Sequence, residues 1–470
     1  MPFASPKQPG HHRIIKKFAY LLSSRWVRGA FETVFLIYLA RYSTTTFGDF
    51  TVALGLGSIL LSVSEFGLNL PLVPLLSRRD REPGEALGQV SLLKGLLLTL
   101  AIAGALIFVE LQDYTAPVRQ VLLLLAFAVA LEALSNTFFV VLQVQGRQAI
   151  QSQVNVLATV LGYGYGLGAL VLGASPLAVA AYKLIETLAN LAGGLWLTLS
   201  QRQFRPQWPS LRGLWRTLRL GAVFGLMNVT SITYNKANLF FLRRYAGADA
   251  VAQYGVAWNL VDSVSALVSG LLLQSILYPV FVKLWESDRD QVPRLAQNTA
   301  RWLLAAALVA MFVLFIESDR FVLLIYGPHY LEAVWLQKVL VITVAISFLH
   351  NLAAFLMMSM QLSRLLLTFF LAGLVVNLLW CSLVMPWSPL LGSALAMVVT
   401  RGAVAALTVG FCQWRLGLIP IKPLLHLVMA ALAGLLIYLA AAGRLPRELA
   451  EALALAPTLA LAFHWWRSEK

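Results

Sequence analysis

A chain of 470 residues that is 59% hydrophobic and only 12% charged, with a mean hydropathy of +0.76, lies outside the range of water-soluble domains, so lipid is the solvent for most of it. The formal charge of +15, from 36 Lys and Arg against 21 Asp and Glu, needs no nucleic acid, because a basic interface facing anionic lipid headgroups accounts for it. Two cysteines, Cys381 and Cys412, sit in separate apolar runs without metal-ligand spacing and read as small buried hydrophobes.

The leading segment carries Lys7, Arg13, Lys16 and Lys17. The run behind it holds Arg25, Arg28 and Glu32 with no small-residue cleavage site, so no cleaved signal peptide is expected. Apolar runs of spanning length, roughly 20 residues, then recur at 18–40, 48–76, 87–109, 119–143, 149–172, 177–199, 218–242, 251–281, 297–316, 333–359, 364–385, 389–411, 424–442 and 447–466. The last contains Glu448, Glu451 and Pro457 and can instead lie flat or re-enter, which leaves about twelve to fourteen crossings. Runs this long predict helices, since a barrel strand needs only about ten alternating residues.

Alternate loops differ in Lys and Arg. One set gathers Arg78, Arg79, Arg81, Arg147, Arg202, Arg205, Arg212, Arg216, Arg219, Lys283, Arg289, Arg294, Arg364, Arg415 and Lys422; the other holds chiefly Arg41, Arg243, Arg244, Arg320, Arg444 and Arg447. The imbalance, about threefold, predicts a cytoplasmic N-terminus and a multi-pass protein of the inner (cytoplasmic) membrane.

The basic connection from Gln201 to Arg219 divides the runs six and six before a terminal pair. Internal echoes support two related halves. LARYSTTTFGDFTVA, Leu39 to Ala53, resembles LRRYAGADAVAQYGVA, Leu242 to Ala257, and SPLAVAAY from Ser175 resembles SPLLGSAL from Ser388. The reading is an all-α polytopic membrane protein: a six-helix lobe over 1–200, a cytoplasmic basic linker over 201–217, a second six-helix lobe over 218–415 and an extra helix pair over 416–470. An even number of crossings per half gives the repeats one orientation, as in transporters whose site lies between two lobes.

LARYSTTTFGDFTVALGLGSILLSVSEFGLNLPLVPLLSR, from Leu39, resembles the first-to-second helix signature of the polysaccharide flippases, O-antigen flippases included, of the multidrug/oligosaccharidyl-lipid/polysaccharide exporter superfamily. IYGPHYLEA, Ile325 to Ala333, resembles that family's Tyr-Gly-x-x-Tyr loop, and the likeness covers nearly all of 14–415. It implies two six-helix bundles around a central cavity lined by helices 1, 2, 7 and 8, alternating access, and a polyprenyl-pyrophosphate-linked glycan as cargo. The terminal helix pair departs from the commonest pattern and matches related lipid-precursor flippases, which use such a pair as a groove for a lipid tail.

Ionisable groups within apolar runs cost about 2.5–3.5 kcal/mol each on insertion scales and so point to function. Arg25, Arg28 and Glu32 share a helix face, and the two arginines suit a diphosphate because a planar fork grips phosphate oxygens bidentately. The structural alternative is an Arg28–Glu32 pair with Arg25 snorkelling. Lys236 and Asn235 join the arginines as candidate substrate contacts; Glu32, Glu65 and Asp262 are candidates for coupling to a proton or sodium ion, or else partners for a neighbouring Arg, Lys or Asn. Glu65 belongs to a polar stripe with Ser58, Ser62 and Asn69. Glu132, Asn259 and Arg401 complete the candidate cavity. Lys183 and Glu186 are spaced to neutralise each other, Lys94, Arg301 and Lys338 can snorkel, and His350 beside Asn351 suits interhelical hydrogen bonding. GYGYGLG, Gly162 to Gly168, lies within an apolar run and reads as a helix-packing surface.

No phosphate loop, His-Glu-x-x-His or Cys-x-x-Cys occurs, so the chain is read as no enzyme and without cofactor or metal. The favoured function is flipping of a lipid-linked oligosaccharide to the outer leaflet, coupled to an ion, with lipids and polysaccharide-assembly proteins as partners. A drug/cation antiporter of the same superfamily would present an acidic cavity. A membrane-embedded glycosyltransferase or polymerase would need a larger outer loop than 317–332, whose acids are Glu317, Asp319 and Glu332.

Overall fold

The computed structural model describes residues 11–77, 83–112, 114–201, 207–441 and 443–468, with backbone alone at 11–23, 77 and 468. Lys7 of the leading segment and the loop charges Arg78, Arg79, Arg81, Arg202 and Arg205 lie outside the described residues, as does part of the 201–217 linker. The described residues are helical almost throughout. They form two compact units, Met1–Ala252 and Gln253–Lys470.

The first unit contains α1 (His11–Tyr42), α2 (Thr44–Glu65), α3 (Asn69–Ser77), α4 (Pro83–Glu110), α5 (Ala116–Val144), α6 (Gln148–Val171), α7 (Pro176–Leu199) and the first part of α8 (Leu211–Leu267). Ser43 caps α2, its hydroxyl accepting from the Thr46 amide at 3.2 Å, and Phe47 and Phe50 behind it are fully buried. The second run, continuous by hydropathy, is interrupted. The chain turns left-handed at Phe66 (φ 39°) and Gly67 (φ 67°) before α3 begins. Pro71 has no N–H to offer the Gly67 carbonyl, which instead takes the Leu70 amide at 3.2 Å.

The glycines of α2 let α8 come close. A Cβ on Gly48 would strike the Ala248 carbonyl, one on Gly55 would touch Leu239, and one on Gly67 would meet Gly221 and Gly225. The compact unit therefore extends past the basic linker and takes in the seventh run. On the other side of the lobe, Gly162 and Gly166 of α6 leave room for Tyr182 and Glu186 of α7, the packing surface that GYGYGLG predicts.

The second unit contains the remainder of α8, a π-wound stretch Val268–Leu277, α9 (Tyr278–Ser287), α10 (Gln291–Ile316), α11 (Ser318–Tyr326), α12 (Leu331–Leu340), α13 (Thr343–Ser359), α14 (Ser363–Leu383), α15 (Pro389–Leu416), α16 (Ile421–Ala441) and α17 (Arg447–Ser468). The two Ser-Pro-Leu echoes mark equivalent helix starts, with Ser175 and Ser388 at the N-caps and Pro176 and Pro389 in the first turns of α7 and α15. In the Tyr-Gly-x-x-Tyr loop Gly327 takes φ 104°, Tyr330 is fully buried against Tyr326, and Gln253 of α8 accepts from the Ala333 amide and donates to the His329 carbonyl. The motif is a corner that anchors α8 to α12.

Among the described residues, ten helices are long and apolar enough to cross a membrane, or eleven if α12 and α13, bent by 43° at their junction, count together. The sequence count is higher for identifiable reasons. Residues Leu211–Ser287 pass as one stretch although Gly247 (φ 84°, ψ −176°) breaks the helix, and α1 and α7, whose apolar runs are diluted by Arg25, Arg28, Glu32, Lys183 and Glu186, are not among the ten. Both terminal helices qualify; α17 seats Trp465 against Trp302 of α10, and Tyr438 of α16 packs on Phe312.

Candidate functional site

Four ionisable side chains meet inside the first unit. Arg28 of α1 reaches Glu132 of α5 at 2.6 Å and Glu186 of α7 at 2.9 Å, while Lys183 of α7 lies 2.7 Å from each of those carboxylates. Two cations and two anions close a neutral square within apolar helices. Burial is uneven: the side chains of Glu186, Lys183, Glu132 and Arg28 are 0%, 6%, 13% and 35% exposed, so Arg28 is the most accessible corner although its Nε is buried. Phe35, Tyr163 and Tyr182 stack beside it, with ring centroids 4.2 to 5.8 Å apart. Sequence spacing finds the Lys183–Glu186 pair; the partners of Arg28 come from other helices rather than from Glu32 on its own. Arg25, one turn earlier on α1, is exposed, and so is Glu32.

One turn along α5 from Glu132, Asn136 donates to Glu65 Oε1 at 2.7 Å. Asn69 donates weakly to the same oxygen, at 3.4 Å, and its own carbonyl oxygen accepts from Lys94 Nζ at 2.8 Å. Lys94 also donates to the Ala133 carbonyl at 2.8 Å and is wholly buried. This corrects the expectation that Lys94 snorkels to the cytoplasmic side: two oxygens inside the unit solvate its ammonium better than a stretched stem would. Lys236 of α8 is half-buried, its stem passing Gly55, and Asn235 donates to the Ser231 carbonyl at 2.8 Å.

Toward the start of α2, Asp49 accepts from Arg243 Nε at 2.9 Å, and Asp249 accepts from the hydroxyls of Thr44 and Thr45 at 2.7 and 3.0 Å. These residues belong to the two echoed segments, which lie side by side at the Gly247 bend. Sequence comparison finds the echo but not that its copies touch.

In the second unit Arg401 of α15 is the hub. It donates to Asp262 at 3.0 Å and to Ser347 of α13 at 2.7 Å, and its guanidinium lies 4.4 Å from the Trp258 ring centre. Asn259 is half-buried one turn before Asp262, and its carbonyl accepts from Ser263. His350 meets Thr408 of α15 at 3.0 Å, an interhelical contact made without Asn351. The acids of the 317–332 segment are engaged: Glu317 and Asp319 pair with Arg447 at 2.9 and 2.7 Å, and Glu332 accepts from the Trp335 indole. The Arg447 hydrogen bonds hold the Asp319 carboxyl down to about 2. Arg301 stacks on Trp465, and Lys338 lies over the Phe315 ring. Among the described residues no cluster of three or more His, Cys, Asp or Glu is arranged to hold a metal.

Among curated proteins no sequence match was found. Several solved structures share the fold. The lipid II flippase MurJ in an inward closed conformation superposes with a TM-score of 0.73 at 12% identity, covering 97% of this chain and 99% of its own. An inward-facing multidrug resistance MATE family transporter of the MOP superfamily gives 0.66 at 14% identity, over 83% of this chain and 94% of its own. A MOP superfamily transporter from Pyrococcus furiosus, described by a reverse polarity of its binding pocket, gives 0.58 at 13% identity, over 86% and 95%. The fold is thus that of polytopic membrane transporters and flippases. The family model described as polysaccharide biosynthesis protein matches residues 14–285, more than half of the sequence, and the chain belongs to that family.

Proposed function

We propose that the protein is a flippase that turns a polyprenyl-pyrophosphate-linked oligosaccharide from the cytoplasmic to the outer leaflet of the inner membrane by alternating access, with the N-terminus in the cytoplasm. One observation carries the reading: a polysaccharide-biosynthesis chain shares its fold with a lipid II flippase over 97% of its length, against 83% for the inward-facing MATE transporter. Its role is transport rather than catalysis.

Arg25 and Arg28, with Lys236 and Asn235, are the proposed cargo contacts. A phosphate reaching Arg28 competes with Glu132 and Glu186 for one guanidinium, and Lys183 already bonds both carboxylates. Lys183 can therefore keep them paired while Arg28 is handed to the cargo, and proton uptake by a carboxylate would ease the exchange. Glu32, Glu65 and Asp262 remain the proposed coupling acids, with Glu132, Asn259 and Arg401 supporting them. The balanced square disfavours a drug/cation antiporter, whose cargo needs an excess of acid.

Depleting the protein in its host tests the reading. Lipid-linked oligosaccharide should accumulate on the cytoplasmic leaflet, inaccessible to an impermeant lectin until the cells are opened. Normal surface glycan with raised sensitivity to cationic drugs would favour the antiporter instead.

A further inference from the structure

The interruption between α2 and α3 has the makings of an ion site. Helix α2 ends on Glu65 with the negative end of its dipole, the chain unwinds through Phe66 and Gly67, and α3 restarts at Asn69 within a stretch that is otherwise apolar enough to span. Interrupted membrane helices present unwound carbonyls and helix C-termini to cations. Beside the break, the side-chain oxygen of Asn69 at the start of α3 and the Ala133 carbonyl within α5 both lie 2.8 Å from one atom, with the Glu65 carboxylate at the end of α2 reached through the other side of the Asn69 amide. The atom between them is the ammonium nitrogen of Lys94.

Lys94 is fully buried, and among the described residues no carboxylate forms an ion pair with it. A structural lysine in an apolar helix would be expected to snorkel or to sit directly on an acid, as Lys183 does on Glu132 and Glu186. Lys94 instead donates to two neutral oxygens, the ligand type that replaces a monovalent ion's hydration shell in a carbonyl-lined site. Its stem enters from α4, so the cation is covalently attached to a different helix from the break it fills. We propose that the interruption between α2 and α3 is a monovalent-cation site whose permanent occupant is the chain's own Lys94 ammonium. The tether keeps the break neutralised beside Glu65 and takes no alkali ion from solution there. It also fixes the point where Gly67 meets Gly221 and Gly225 of α8. This goes beyond the transport reading and stands without it.

The test is thermal unfolding of the purified full-length protein in detergent, with choline, sodium, potassium or methylammonium chloride at equal ionic strength. A ligand that binds only the native state raises the midpoint in a saturable way. Any rise of the parent midpoint in sodium or potassium should survive Asn69→Ala, because the interruption takes no ion from solution. Lys94→Ala should melt several degrees lower in choline and recover saturably with methylammonium, and more weakly with sodium or potassium, which enter the vacated oxygens. Lys94→Met, which fills the space without charge, should melt low in every salt. The proposal is overturned if the parent midpoint rises saturably with sodium or potassium and Asn69→Ala removes the rise, or if Lys94→Ala responds to no cation beyond choline. Should Lys94→Ala fail to accumulate, producing it with methylammonium chloride in the medium decides: recovered accumulation that choline does not give upholds the proposal, and no recovery with methylammonium overturns it.

Discussion

Removing two opposite charges of the Arg28, Glu132, Lys183 and Glu186 square together should cost well below the sum of removing each alone. Glu186→Gln deletes a fully buried carboxylate that serves both Arg28 Nε at 2.9 Å and Lys183 at 2.7 Å, and leaves two cations sharing Glu132. Stranding a charge in this way costs about 3–5 kcal/mol in buried pairs. Lys183→Met does the reverse, leaving two carboxylates on one guanidinium, at a similar cost of about 3–5 kcal/mol. The double variant keeps the Arg28–Glu132 pair at 2.6 Å and restores neutrality, with Met filling the lysine stem. It should fall below the sum of the single costs by about 3 kcal/mol, the upper range of couplings between contacting residues. Equilibrium unfolding in mixed micelles, followed by tryptophan fluorescence, measures all four corners of the cycle. A double variant that costs the full sum would show that the four groups share no charge balance, and the hand-over role given to Lys183 would go with it.

Three further outcomes follow from other parts of the molecule. Gly67→Ala should destabilise by about 1–2 kcal/mol from its left-handed backbone alone, with a further loss because its Cβ would press on Gly221 and Gly225; an unchanged melting temperature would refute the close approach. Asp319 has a folded-state carboxyl lowered to about 2 by Arg447, so its stabilisation is complete above the ordinary carboxylate range and is lost as the pH falls through that value. Asp319→Asn should accordingly be less stable than the parent at neutral pH, the gap shrinking from about pH 4 downward as the carboxyl protonates; a gap that keeps its neutral-pH size near pH 2 would contradict the pairing. A cysteine placed at Ser210 should resist an impermeant thiol reagent added to intact cells, because the basic connection is assigned to the cytoplasm, and labelling from outside would reverse the topology.

Much of the architecture is legible because hydropathy reports directly on lipid. The apolar runs, the Ser-Pro-Leu helix starts and the Gly162–Gly168 packing face depend on residues close in sequence. So does the Lys183–Glu186 pair. Arg28 shows where such reading stops, since its partners lie 104 and 158 positions along the chain and spacing on α1 points only to Glu32. Lys94 reads as a snorkelling lysine because hydropathy cannot see the oxygens of Asn69 and Ala133 on neighbouring helices. The α2–α3 interruption did leave a signal, Gly67 four residues before Pro71, but an average over an apolar window hides it. The bend between α12 and α13 left no comparable signal at Val341 and Ile342, both ordinary helix residues in an apolar run.

The most direct test of the central claim is flipping in proteoliposomes containing the purified protein and a fluorescent polyprenyl-pyrophosphate-linked oligosaccharide, read by an impermeant quencher. The parent should move the lipid between leaflets, Arg25→Lys with Arg28→Lys should slow it because a point charge replaces a planar fork, and the double Gln variant, folded and equally abundant, should nearly abolish it. Parental flipping no faster than protein-free vesicles would contradict the proposed function, and a double Gln variant that flips at the parental rate would remove the two arginines from cargo recognition.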